Sequence, residues 1–75
     1  MKEQLLSYRG YLNKEFCFVD NEGKLVRFKK SRNDLITDFE LTKQKSVNQL
    51  FSARYFITYP GGIETYILSD LCPKS

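Results

Sequence analysis

Five cations, Lys24, Arg27, Lys29, Lys30 and Arg32, fall within nine residues that hold no acid. Just upstream, Phe16 and Phe18 alternate within the apolar run Phe16, Cys17, Phe18, Val19. Flat rings beside fixed positive charge suit a single-stranded nucleic acid, because bases stack on rings at roughly 1–3 kcal/mol each and phosphates seek the cations. A second zone, residues 41–63, contains Lys43, Lys45 and Arg54 and no acid, with Tyr55 and Tyr59 close by. It extends such a groove, or it forms the rim of a protein interface, where Tyr and Arg are favoured anchors.

Other chemistries are poorly served. The chain has no histidine, the commonest general acid–base group and metal ligand. Cys17 and Cys72 lie far apart with no second pair, so neither a zinc ribbon nor a Cys-x-x-Cys motif is available. They are expected as two free thiols, Cys17 a small core residue, although a disulfide between them stays open. Asp34, Asp38 and Glu40 cluster on or after a short helical segment, where acids serve the helix N-terminus. Neither an enzyme, a cofactor nor a metal site is expected.

These residues need a scaffold, and 75 residues allow one small domain spanning 1–75. Aromatics make up 15% of the chain, more than a short helical bundle needs, which favours strands. Residues 5–12 read as a first strand with Leu6, Tyr8 and Leu12 on one parity and Gly10 as a bulge. Residues 16–19 and 24–30 form a hairpin across the turn formers Asp20, Asn21, Glu22 and Gly23. Leu35, Ile36 and Phe39 recur at helical spacing, with Ser31 and Asp34 as a capping box. Residues 42–48 read as a loop. A second hairpin joins 51–59 to 63–68 through Pro60, Gly61 and Gly62, and Pro73 ends the ordered part.

Three strands, a short helix and two strands is the order of an oligonucleotide-binding (OB) fold, a five-stranded antiparallel barrel with its helix between strands 3 and 4. An SH3-like barrel is the runner-up. The N-terminus lacks the apolar stretch of a signal peptide, and no apolar run approaches the roughly 20 residues of a membrane span. A cytoplasmic protein with no membrane partner is expected.

The run Lys14, Glu15, Phe16, Cys17, Phe18, Val19 resembles the first ribonucleoprotein motif of cold-shock domains, Lys-Gly-Phe-Gly-Phe-Ile. Val26, Arg27, Phe28 resembles the end of the second, Val-His-Phe. The resemblance implies that Phe16 and Phe18 face outward as stacking platforms, that Arg27 takes the place of the outward His, and that Val26 and Phe28 are core. Glu15 and Cys17 stand where that family has glycines, and Leu25 replaces an outward aromatic. A one-residue slip in the hairpin instead turns Phe16 and Phe18 inward and Cys17 and Val19 outward.

The leading expectation is a module that binds single-stranded nucleic acid or a nucleotide-type ligand. Phe16, Phe18 and Tyr55 or Tyr59 stack, while Arg27, Lys29 and Lys43 or Arg54 meet phosphates. The alternative is a protein-binding or inhibitor module offering an aromatic and basic patch or a sheet edge; a charge of only +3 favours it.

Overall fold

The computed structural model describes residues 1–43 and 46–74, so Lys45 lies outside the described residues. The chain is mainly β. Among the described residues six strands, β1 (Lys2–Leu12), β2 (Glu15–Val19), β3 (Leu25–Phe28), β4 (Lys30–Ser31), β5 (Leu50–Thr58) and β6 (Thr65–Lys74), form one sheet in the order β3-β2-β1-β5-β6-β4. One short helix, α1 (Asn33–Asp38), follows β4.

The expected five-stranded antiparallel arrangement is corrected to a six-stranded mixed sheet. Lys29 breaks the third strand: its N–H leaves β2 and donates to the Tyr66 carbonyl at 3.1 Å. The next two residues then run parallel to β6, with Lys30 beside Ile67 and Ser31 beside Leu68. β3 and β4 stand at opposite ends of the ladder yet are separated by one residue, so the sheet is strongly curled.

Gly10 is the bend in β1. Tyr8 pairs with Phe18 and Gly10 with Cys17, leaving Arg9 as the extra residue, and Gly10 takes a φ of +130° that side chains disfavour. The bulge swaps parity. Leu6 and Tyr8 point into the core, but beyond it Tyr11 packs on Phe16 and Leu12 is 60% exposed, which corrects the single parity expected for this strand.

The turn between β2 and β3 is held by Asp20, whose Oδ1 accepts the Glu22 and Lys24 amides at 2.9 and 2.8 Å. Gly23 supplies the positive φ of +81° that closes it.

The capping box does not form. Ser31 is engaged in β4, so Arg32 becomes the N-cap, with no side-chain cap, and its guanidinium pairs with Asp34 at 2.8 Å. Leu35 is buried, and Phe39 meets Phe51 edge-on at 5.2 Å. A 3₁₀ turn at Leu41–Lys43 starts the expected loop and buries Leu41, whose carbonyl accepts the Tyr8 hydroxyl.

β5 pairs antiparallel with both β1 and β6. Their connection is a 3₁₀ turn at Pro60–Gly62, with Gly61 and Gly62 at positive φ. β6 continues well past Leu68, and Pro73 pairs with Phe51 instead of ending the fold. The core inside the curl is an aromatic cluster in which Phe18 touches Tyr8, Phe28 and Phe51. Among the described residues no helix is long and apolar enough to cross a membrane.

Candidate functional site

Phe16 and Phe18 are core residues, 4% and 0% exposed. Phe16 pairs with Phe28, and Phe18 with Val26. Directly opposed residues share a face, so the rings follow Val26 and Phe28 inward. Cys17 and Val19 take the outer parity, opposite Arg27 and Leu25. The outward stacking platforms implied by the cold-shock resemblance are therefore absent at these positions. Tyr55 is also buried: its hydroxyl donates to Gln4 Oε1 at 3.0 Å and its ring stacks on Tyr66 at 5.6 Å. Tyr59 is 62% exposed at the start of the β5–β6 connection.

The cations also divide. Arg54 donates from Nε to Glu3 Oε2 at 2.7 Å and faces Asp70 across the ladder, so two carboxylates occupy its charge. Lys43 sits 3.9 Å from Glu40 on the 3₁₀ turn. Among the described residues Lys24, Arg27, Lys29 and Lys30 form no ion pair. Cys17 is buried and Cys72 exposed, and both are free thiols.

Three of the eight candidates, Arg27, Lys29 and Tyr55, meet at one place. They line a cleft of about 620 Å³ between β3 and the start of β6, with Lys2 and Gln4 of β1 at its end. The Lys29–Tyr66 hydrogen bond is its closed corner, and β3 and β6 part from there. Tyr55 and Tyr66 form the aromatic part of its wall. Burial raises the pKa of both phenols, and for Tyr66 the Glu64 carboxylate adds to the effect, so both remain neutral donors at neutral pH. Lys2, Lys24, Arg27 and Lys29 border the cleft together with Glu15, Asp20 and Glu64, so its lining carries both signs.

The backbone of β3 adds a feature that side chains do not reveal. Asp20 donates its N–H to the Lys24 carbonyl, which makes these two a hydrogen-bonded pair. Antiparallel pairs alternate, so Phe18/Val26 and Phe16/Phe28 bond across the ladder, while the backbone groups of Leu25, Arg27 and Lys29 point away from β2. Lys29 spends its N–H on Tyr66. Leu25 and Arg27 have no such partner among the described residues, and their backbone faces the cleft.

A smaller groove of about 330 Å³ adjoins the β5–β6 connection and is lined by Lys29, Lys30, Thr58, Pro60, Ile63, Thr65 and Ile67. Ile63 borders both hollows and is 70% exposed.

No protein-family model, curated protein or solved structure matches this chain. The site therefore rests on its own geometry. The sequence reading missed Gln4, Glu64 and Tyr66, because the β1–β5 pairing brings Gln4 to Tyr55 and the parallel β4–β6 pair brings the start of β6 to β3, and no local pattern announces either pairing.

Proposed function

We propose that this chain is a non-enzymatic binding module of OB type whose cleft between β3 and β6 holds a segment of a partner protein. Counting β3, Lys29 and β4 as one interrupted third strand gives five strands with the helix after the third, the OB order. Fold alone assigns no ligand, so the function is argued from the cleft.

One observation carries the reading: the free backbone of Leu25 and Arg27 borders a cleft whose walls hold both cations and carboxylates. A nucleic acid lying there has no backbone N–H with which to continue the ladder at that edge, and the rings for stacking its bases, Phe16 and Phe18, are in the core. A polypeptide supplies both charges and backbone groups. Single-stranded nucleic acid is the second reading, favoured by exposed Tyr59 between Thr58 and Pro60 of the smaller groove, beside Lys29 and Lys30.

The test is a pair of NMR titrations of the whole chain. One uses peptides selected from a random displayed library, and the other short single-stranded DNA and RNA at two salt concentrations. Selected peptides should shift the Leu25, Arg27 and Tyr66 amides. Steeply salt-dependent oligonucleotide binding at those amides, with no peptide selected, would replace this reading by the second.

A further inference from the structure

We infer that the partner segment binds as an added β-strand on the free edge of β3, with apolar residues alternating with acidic ones; this rests on the protein-binding role proposed above. An edge strand presents unpaired N–H and C=O groups in a row, and an extended chain satisfies them by continuing the ladder. β3 meets that condition at Leu25 and Arg27, whose backbone faces the cleft.

The side chains of β3 define the chemistry of the added strand. Val26 lies on the inner parity, on the side of Tyr55 and Tyr66, so alternate residues of the incoming segment that face inward should be apolar. Leu25 and Arg27 share the outer parity, and Lys29, in the bend after β3, also borders the cleft, so the intervening residues lie beside two cations that form no ion pair among the described residues and should be acidic. Cross-strand pairs of opposite charge are favourable and like pairs are not.

The same cations bear on what else could sit there. Lysines on an edge strand are a common guard against aggregation. Two copies of β3 lying edge to edge would bring Arg27 of each, with the adjoining Lys29, close to the same cations of the other, so the guard rejects a second copy and admits an acidic strand. Charge complementarity thus commits the edge to a heterologous partner.

The experiment uses the whole chain and three capped peptides of alternating valine and glutamate: unmodified, and N-methylated at one or the other alternating set of backbone nitrogens. The unmodified peptide should protect the Leu25 and Arg27 amides from hydrogen exchange. One of the methylated peptides should bind about tenfold more weakly, as expected for lost backbone hydrogen bonds. Equal affinity for all three peptides overturns strand addition. If the library-selected peptides still shift the cleft in that case, the protein-binding role survives without it. If neither they nor the valine–glutamate peptide bind there, both fall. Protection of Leu25 and Arg27 that grows with protein concentration in the absence of peptide identifies a second copy as the occupant and overturns the heterologous partner.

Discussion

Phe18 and Val26 face each other across the β2–β3 ladder, and this pairing sets the side of the sheet on which the large rings lie. It follows from the turn, in which three residues separate the hydrogen-bonded pair Asp20 and Lys24. Phe18 is fully buried against three other rings. Phe18→Ala should therefore cost about 3–5 kcal/mol. That is much of a stability that for small domains is roughly 5–15 kcal/mol. The double variant Phe16→Ala/Phe18→Ala should be unfolded by circular dichroism, whereas Phe56→Ala, on the outer face, should change the urea stability by about 0.5 kcal/mol.

Gly10→Ala should destabilise the fold by about 1–3 kcal/mol, because the φ of +130° at this bulge is strained for any residue with a Cβ. Urea denaturation reads the cost. A change near zero would mean that the bulge moves to another residue.

The Tyr8 hydroxyl is the buried donor to the Leu41 carbonyl. Tyr8→Phe removes that bond and should cost about 0.5–1.5 kcal/mol. Burial, first, and nearby Cys17 and Tyr11 push the Tyr8 pKa from 10.0 up to about 12. The neutral phenol is favoured in the fold, so its contribution is complete below about pH 10 and is lost as pH rises through about 12. Alkaline urea titrations should show this fall in the wild type and a shallower one in Tyr8→Phe, where Tyr55 and Tyr66, also raised by burial, still titrate.

Arg27→Glu should weaken binding of acidic peptides by about tenfold, measured by calorimetry, because it reverses one unpaired charge beside the cleft. Arg54→Ala should leave peptide affinity unchanged. It removes an exposed pair with Glu3 and should leave the urea midpoint nearly unchanged.

The β2–β3 hairpin, the Gly10 bulge and the second hairpin were legible because alternation and turn residues are local signals. The facing of Phe16 and Phe18 was not, since the run from Phe16 to Val19 is apolar on both parities and alternation cannot choose between them. Loop length decided it: a two-residue loop would have set Phe18 against Leu25 and turned the rings outward. The cold-shock resemblance implies that Val26 and Phe28 are core, and direct pairing with that face is the signal that places Phe16 and Phe18 beside them. The β4–β6 pair was beyond reach, because two residues carry no periodicity and their partner lies more than thirty residues away. Of the candidate site, Arg27 and Lys29 were found from their charge, and Tyr55 was named for stacking but borders the cleft as a buried ring. Gln4, Glu64 and Tyr66 depended on the long-range closure.

β1 occupies the middle of the sheet, between β2 and β5. On the ribosome its partners do not arrive together. β2 follows at once, but the edge at residues 2–7 pairs with residues 50–55. At the usual pace of synthesis, about 5–20 residues per second, that edge waits roughly 2–9 s for its partner. The nascent β1–β2–β3 meander thus precedes by seconds the segment that covers the other flank of β1, so translation speed through the middle of the chain sets how long that flank stays unpaired.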